Sequence, residues 1–454
     1  MENAKAKRNI DFTRGSISRN LILFAIPLFI GAVFQLLYNL VDSSVLGRYV
    51  SMQALAAVGA TGTTMMLMTQ LTNALTNAMS IRVSHAWGAH DPALMRRLLA
   101  HCVELAALLG LLLMVMMRVC SGPLMCLLRT PDDILAGATL YLQITCGFYI
   151  GQLFYNMATA VLRAIGDSRT PLLFLIFSSL LNVALDLLFV LAFRMEIAGV
   201  AWATVISQTV SAILCLVYMF RRYPALRFSR ADMKPDKEIL KKYAAIALPM
   251  AFQGVMLSIG DMTVTSVINS FGTDTVAAYT IGQKCIQIVQ ITFSQIAFSM
   301  SVYTGQNFGA GLYDRVREGL RRALCLLGAM VAASMLILFL FGGQLMKLYL
   351  DPAIAGEAVP ALVLQYIRVT TCFLPALCFI WTYNSSLRGV GCIPPTVVSS
   401  FLELGCKIGL SLLLSKLFGT LGLWFALPLG WVIGLIPSVW AFHTNRWVPK
   451  KSGD

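Results

Sequence analysis

Long apolar runs dominate the sequence, and short polar or charged segments separate them. An α-helix rises 1.5 Å per residue, so about 20 apolar residues cross the hydrocarbon core of a membrane. The runs predict an all-α integral membrane protein with about twelve transmembrane helices. The predicted spans are residues 20–46, 54–84, 93–118, 134–162, 171–193, 197–220, 243–268, 275–306, 318–342, 358–386, 396–415 and 420–443.

The composition agrees with this pattern and excludes several classes of protein. Hydrophobic residues make up 58% of the chain and charged residues 12%, with a mean hydropathy of +0.75. Soluble domains carry about 25% charged residues. The net charge of +14 is spread between the apolar runs rather than gathered on one aromatic-rich face, so no nucleic-acid partner is expected. The 11 cysteines stand singly, which disfavours a disulfide framework or a zinc site.

The distribution of Lys and Arg predicts the orientation in the membrane. Most of these residues fall in alternate loops, which places both termini in the cytoplasm of a multi-pass protein of the inner (plasma) membrane. The stretch from Arg221 to Lys242 is basic and holds no long apolar run, so it divides the chain. The predicted organisation is a cytoplasmic N-terminal tail 1–19, a first lobe 20–220, a basic cytoplasmic linker 221–242, a second lobe 243–445 and a C-terminal tail 446–454.

The two lobes resemble each other in sequence. IPLFIGAVFQ from Ile26 recurs as LPMAFQGVMLS from Leu248, and LRAIGD from Leu162 recurs as LRGVG from Leu387. A repeat of six helices, an even number, keeps both copies in the same orientation. We therefore expect two six-helix bundles related by a pseudo-two-fold axis along the membrane normal. Such repeats are common in secondary transporters, which bind substrate between the lobes.

Carboxylates within the spans of the first lobe are candidates for ion binding, because charge inside a membrane is expensive. Asp186 lies about 10 Å below the outer end of its span, and Asp42 and Thr204 reach a similar depth. Asn182 precedes Asp186 by four residues and shares its helix face. Two close carboxylates cannot both stay charged cheaply, so the four residues could take up a proton or a sodium ion. A solvated position for Asp42 at the outer interface is the alternative.

The second lobe offers charged residues of a different kind. The repeat offset places Val264, Gly409 and Ser411 opposite the two carboxylates, so no matching acid pair is expected there. Asp261 and Lys284 fall at similar depths and could form an ion pair that either fixes packing or serves substrate binding or coupling.

Further polar residues complete the candidates. Glu403 and Lys407, four residues apart, could neutralise each other. Amide and aromatic side chains could line a substrate cavity or simply join helices. These are Gln35, Tyr38, Gln70, Asn73, Asn156, Gln283 and Gln287.

Several motifs together resemble the multidrug and toxic compound extrusion (MATE) family over residues 15–445. They are YNLVDSSVLGR, ALAAVGA, WGAHD, LRAIGDSRTP, NVALD, NSFGTDTVAAYT and GQNFGAG, in that order. The resemblance implies a V-shaped transporter of two six-helix bundles. It also implies export of amphiphilic, often cationic drugs in exchange for protons or sodium.

The resemblance also bears on the site residues. The family's first-lobe cation site resembles Asp42, Asn182, Asp186 and Thr204. Members with a second-lobe acidic site carry a Glu where Leu257 stands here, which favours a first-lobe site.

The predicted function is therefore secondary active multidrug efflux by alternating access. No cofactor is expected, and sodium at the first-lobe site is the one metal ion considered. The expected partners are amphiphilic small molecules and the lipid bilayer, with no obligatory protein partner evident. The main alternative is a lipid or lipid-linked oligosaccharide flippase, which would need a strongly cationic cavity. ATP-driven transport by this chain alone is disfavoured because no GxxxxGK[ST], HExxH or nucleophile-elbow motif occurs. A membrane-embedded enzyme is a further alternative, but it would need a His, paired-acid or metal cluster near one membrane face, and the four histidines form no such cluster in the sequence.

Overall fold

The computed structural model describes residues 9–350 and 358–449, and every regular element in those ranges is helical. The first half of the described chain holds α1 Ile17–Val45, α2 Met52–Ala60, α3 Gly62–Gly88, α4 Pro92–Leu127, α5 Asp132–Gly147, α6 Tyr149–Ala164, α7 Arg169–Leu187 and α8 Glu196–Arg222. The second half holds α9 Lys237–Asn269, α10 Thr273–Gly309, α11 Tyr313–Met346, α12 Ala358–Cys372, α13 Leu374–Gly389 and α14 Pro394–His443. The predicted all-α membrane fold is confirmed.

Each of the twelve predicted spans falls on helix. By length and composition, eight helices of the described chain can cross a membrane, or ten if each bent pair is one span. The α14 helix contains two predicted spans, which meet at Gly419, where the backbone leaves the helical region (φ 61°, ψ −138°). The remaining predicted span covers α2 and α3, and α3 is less apolar because it is rich in Thr, Asn and Gln.

The two bent pairs occupy equivalent places in the repeat. The α5 and α6 helices meet at 50° around Phe148, and α12 and α13 meet at 49° around Phe373. Pro375 follows the second break and cannot donate a backbone hydrogen bond, which explains the end of the helix there. The sequence predicted each pair as one continuous span.

The described chain falls into two compact units. The first unit contains residues up to Asp11 and Ile26–Ala247, and the second contains Phe12–Ala25 and the chain from Leu248. Phe12 shows why its segment belongs with the second unit. Its ring packs edge-on against Tyr303 at a centroid distance of 5.6 Å, and its carbonyl accepts a hydrogen bond from the Asn307 amide (3.1 Å).

Two π-helical turns extend helices of the first unit. One turn, Leu46–Val50, follows α1, and the other, Leu188–Ala192, follows α7. Such turns are rare and often lie at functional sites. Both follow helices that carry a candidate carboxylate, within about one turn of it.

The basic segment after α8 is anchored to the first unit. Arg97 pairs with Asp236, and the Asp236 backbone N–H donates to Nε2 of His101 (3.1 Å). The Asp236 carboxylate also accepts hydrogen bonds at the start of α9, and the backbone N–H groups of Ile239 and Glu238 hold its pKa below the usual value. Because the folded state lowers this pKa, the stabilisation is present at neutral pH and is lost in acid.

The α4 helix begins with a side-chain cap that can be tested. Asp91 accepts hydrogen bonds from the backbone N–H groups of Ala93 (3.0 Å) and Leu94 (2.9 Å). Replacing Asp91 with Ala is expected to cost about 1 kcal/mol because these donors lose their partner. Thermal unfolding of the purified protein measures the loss. Asp133→Ala, at an exposed position in the first turn of α5, is the control, and equal melting of both variants would contradict the role of the cap.

Candidate cation site

Three helices of the first unit bring the four predicted first-lobe residues together. Asp42 lies near the end of α1, Asn182 and Asp186 lie one turn apart on α7, and Thr204 lies on α8. Asn182 and Asp186 are 1% and 0% exposed. The spacing of four residues gives both α7 side chains the same direction, so that they face α1 and α8 together.

The amide of Asn182 bridges the two carboxyl groups. Carboxylate oxygens only accept hydrogen bonds, so the amide nitrogen must face them. In that orientation Nδ2 donates to Oδ1 of Asp42 (2.9 Å) and to Oδ2 of Asp186 (3.2 Å). The amide oxygen accepts from the backbone N–H of Thr204 (3.2 Å), so one side chain connects all three helices.

The carboxyl groups of Asp42 and Asp186 also contact each other within hydrogen-bond distance. Two ionised carboxylates would repel and offer no donor, so this contact requires a proton or another cation. The Tyr38 hydroxyl lies close to Asp42 and Thr204, within electrostatic range of the carboxyl group. The buried Oδ1 of Asp186 has no hydrogen-bond partner in the described chain. An unpartnered carboxylate oxygen beside a second carboxyl group suits a proton or a small hard cation such as sodium.

An apolar cluster lies next to the carboxyl groups. Its buried members are Val45, Leu46, Ala54, Val190 and Val200. Val45 and Leu46 lie about one turn beyond Asp42, Val190 lies about one turn beyond Asp186, and Val200 lies one turn before Thr204, while Ala54 comes from α2. The two π-helical turns supply Leu46 and Val190 to this cluster. It therefore keeps water from one side of the site, which strengthens electrostatic interactions there.

The sequence missed one residue of this site. Tyr141 on α5 lies within electrostatic range of both Asp42 and Asp186. Tyr141 begins the segment YLQIT, which recurs in the second lobe as YIRVT from Tyr366. Such a repeat indicates only that the two tyrosines occupy equivalent helix positions. The direction of the side chain depends on how α5 packs against α1 and α7.

The predicted ion pair of Asp261 with Lys284 is wrong. Asp261 on α9 instead accepts a hydrogen bond from Nζ of Lys407 on α14, at 2.6 Å. The Lys284 ammonium lies over the ring of Tyr349, 5.5 Å from its centroid. Lys284 was proposed by depth and Lys407 only as the partner of Glu403, and helix rotation decides which lysine meets the Asp261 carboxylate.

The predicted cavity residues do not form one cluster of side-chain hydrogen bonds in the described chain. Tyr38 joins the cation site, and Gln283 donates to the Tyr279 hydroxyl (2.6 Å) in the second unit. The remaining candidates make no side-chain hydrogen bond to these two groups within residues 9–350 and 358–449. They are Gln35, Gln70, Asn73, Asn156 and Gln287.

The second unit lacks a carboxylate pair at the positions opposite the cation site. Val264 is 1% exposed, and the hydroxyl of the fully buried Ser411 has no hydrogen-bond partner within the described ranges. No group of three or more His, Cys, Asp or Glu side chains in the described chain could hold a metal ion. The paired carboxyl groups of the first unit are thus without a counterpart at these positions.

Repeated helices long enough to cross a membrane, with a buried pair of carboxyl groups in the first unit, are typical of membrane transporters. The MatE family model matches residues 27–188 and 249–413, one match within each unit. The chain therefore belongs to the MATE family of multidrug efflux transporters.

Relatives and solved structures agree over the length of the chain. The probable multidrug resistance protein YpnP of Bacillus subtilis (strain 168) is 27% identical over 448 residues, covering 97% of this chain and 98% of YpnP. The fold resembles an outward-facing multidrug resistance MATE family transporter of the MOP superfamily, with a TM-score of 0.86, 22% identity and 97% coverage of both chains. It also resembles a MOP superfamily transporter of Pyrococcus furiosus described as having a reverse-polarity binding pocket, with a TM-score of 0.87, 21% identity and coverage of 96% and 98%.

Proposed function

We propose that this protein exports amphiphilic, often cationic small molecules across the plasma membrane by proton- or sodium-coupled antiport. The observation that carries the proposal is the contact between the carboxyl groups of Asp42 and Asp186, joined by Asn182. A single buried carboxylate can serve packing, but two in contact form a site whose charge changes when a cation binds or leaves.

The mechanism is alternating access. A cation entering from outside neutralises Asp42 and Asp186, which lets α1, α7 and α8 pack more closely. The first-unit binding surface then narrows and releases substrate outward. After the protein opens to the cytoplasm, the cation leaves and new substrate binds. Cation and substrate must therefore prefer opposite states, because a ligand shifts an equilibrium only by its differential affinity.

The energy source is adequate for export. One charge that crosses 100 mV supplies about 2.3 kcal/mol, before any concentration gradient is counted. The positions of Lys and Arg predict an orientation in which both termini lie in the cytoplasm. No cofactor or enzymatic step is needed, since the coupling ion moves down its own gradient.

The flippase alternative needs a cationic cavity for a phosphate group. Lys407 is already paired with Asp261, and Lys284 contacts an aromatic ring. These two residues therefore offer little free positive charge. The third cation considered for such a cavity, Arg368, is exposed on α12, and alone it does not make a strongly cationic cavity, so efflux of amphiphilic molecules remains the better proposal.

Ethidium efflux from proteoliposomes tests this function. We expect an imposed proton gradient or an imposed sodium gradient to drive efflux, and whichever does so identifies the ion. Asp42→Asn is expected to reduce driven efflux to near the rate of empty liposomes, because one of the two carboxyl groups can no longer ionise. Efflux that no gradient accelerates would contradict antiport, and full driven efflux by Asp42→Asn would remove this residue from the site.

A further inference from the structure

Two carboxylates and one ammonium group meet in the second unit, apart from the cation site. Asp261 lies on α9, and Glu403 and Lys407 lie one turn apart on α14. Lys407 Nζ donates to Oδ1 of Asp261 at 2.6 Å, while Glu403 lies within electrostatic range of both. Charged side chains inside membrane spans are rare and usually mark substrate or ion pathways.

Close helix packing holds the backbone of this cluster in place. A Cβ atom on Gly260 would overlap the side chain of Leu404, so α9 approaches α14 directly beside Asp261. A Cβ atom on Gly430 would lie 2.9 Å from the Glu403 carbonyl oxygen, and one on Gly434 would lie 2.9 Å from Cβ of Glu403. The helices therefore have little freedom here, and motion is left to the long Lys407 side chain.

The three charged groups differ in exposure and in partners. The Asp261 side chain is 59% exposed and the Lys407 side chain 18%. A carboxylate this exposed within a span must face water rather than lipid. Within the described ranges, Glu403 makes no hydrogen bond through its carboxylate. Asp261 is thus the charged group that an incoming molecule reaches first. The Glu403 carboxylate, one turn from Lys407 on α14, is a second acceptor for the ammonium group.

The charge of the cluster indicates the sign of the ligand. With all three groups ionised, two negative charges face one positive charge. If Lys407 moves from Asp261 to Glu403, it stays neutralised and Asp261 is left to bind a cation. An anion on Lys407 would instead bring a third negative charge to the cluster, which is unfavourable in a low-dielectric setting.

Aromatic rings border the ion pair. The Tyr279 hydroxyl lies within electrostatic range of Lys407 and Asp261. The Tyr279 ring stacks on Trp424 with an interplanar angle of 5° and a centroid distance of 6.3 Å. Trp424 is fully buried and supports the half-buried Tyr279 from behind. The Tyr279 ring can attract an organic cation and provide apolar contact for flat or bulky substituents.

We infer that Lys407 is an internal counter-ion that a lipophilic organic cation displaces from Asp261, while Glu403 accepts Lys407 in the substrate-bound state. The inference deepens the proposed export function by assigning a substrate-binding group in the second unit. It also separates the roles of the two units: Asp42 and Asp186 bind the coupling ion, and Asp261 binds the charge of the substrate.

Direct binding to the purified full-length protein in lipid nanodiscs tests the inference. The probes are tetraphenylphosphonium, a lipophilic cation, and triphenylphosphine oxide, an uncharged molecule of similar aromatic character. Asp261→Asn is expected to weaken tetraphenylphosphonium binding about tenfold or more, because the cation loses its carboxylate. Lys407→Gln is expected to strengthen it by about tenfold, because no internal cation competes. Triphenylphosphine oxide should bind all variants alike.

Glu403→Gln is the matched variant, since it removes the same charge from the same cluster without touching the ion pair. It is expected to weaken tetraphenylphosphonium binding, because displaced Lys407 loses its second partner. Equal tetraphenylphosphonium affinity of wild type, Asp261→Asn and Lys407→Gln would overturn the inference, as would weaker binding in Lys407→Gln. If Lys407→Gln does not fold, the contrast of the two probes in Asp261→Asn and Glu403→Gln decides.

This result is separable from the test of export. If antiport is wrong, no gradient drives ethidium efflux, whatever the binding affinities of these variants. If only the counter-ion exchange is wrong, gradient-driven efflux persists in wild type, while charge changes at Asp261 and Lys407 leave tetraphenylphosphonium affinity unchanged.

Discussion

Asp186→Asn is expected to reduce gradient-driven efflux by roughly 100-fold, the equivalent of losing one or two hydrogen bonds to a charged group. The side chain is 0% exposed, contacts the Asp42 carboxyl group and leaves Oδ1 unpartnered. Asparagine keeps the shape but neither ionises nor binds a cation as a carboxylate does. The first unit would then stay in its neutralised arrangement, and efflux from proteoliposomes under each gradient measures the loss.

The matched control is Asp133→Asn, which makes the same replacement at an exposed position in the first turn of α5. It should transport like wild type. Substrate binding to Asp186→Asn should persist, because we assign the residue to the proposed ion site and not to the cluster around Asp261. Wild-type driven efflux by Asp186→Asn would show that Asp42 alone couples the ion.

Much of the fold follows from hydrophobic run length, because a lipid environment demands continuous helical backbone hydrogen bonding. Features that depend on local packing cannot be predicted from run length. The bend at Phe148 lies within a continuous apolar run, and the π-helical turn after α7 is equally apolar. The association of Phe12 with Tyr303 depends on a contact between residues distant in sequence, which periodicity cannot indicate.

The grouping of the four first-lobe residues was predictable because two constraints act together. Depth places Asp42, Asp186 and Thr204 at one level, and the four-residue spacing places Asn182 on the face of Asp186. Residue counting gives depth but not helix rotation about its axis. The predicted pairing of Asp261 with Lys284 therefore rested on depth alone, and the structure pairs Asp261 with Lys407 instead.

The repeat preserves helix positions more closely than it preserves chemistry. Bent helices recur at equivalent places in both units, whereas the repeat offset aligns the paired carboxyl groups of the first unit with Val264 and Ser411 of the second. Charge in the second unit is instead arranged around Asp261 and Lys407. On the function and the counter-ion exchange that we propose, the two copies of this scaffold bind different ions: a small inorganic cation in the first unit, and the charged group of a substrate in the second.

Gly389→Leu is expected to destabilise the second unit by about 2–3 kcal/mol, through overpacking. A Cβ atom at Gly389 would overlap Oγ1 of Thr304 and the carbonyl oxygen of Ser301 on α10. The α13 helix must then move away from α10, which also breaks the hydrogen bond from Thr304 Oγ1 to the Ser386 carbonyl (3.1 Å). Thermal unfolding of the purified variant should show a clearly lower melting temperature.

Gly409→Leu provides the comparison, because it is also a helical glycine of the second unit but has no atom within 4 Å of an added Cβ. Leucine has a higher helix propensity than glycine by up to about 1 kcal/mol, so this variant should melt at or above the wild-type temperature. If the melting temperature falls in Gly389→Leu and rises in Gly409→Leu, the loss of stability comes from the contact between α10 and α13. Equal melting of both variants would mean that the two helices can separate at little cost, which would contradict close packing as the reason for glycine at 389.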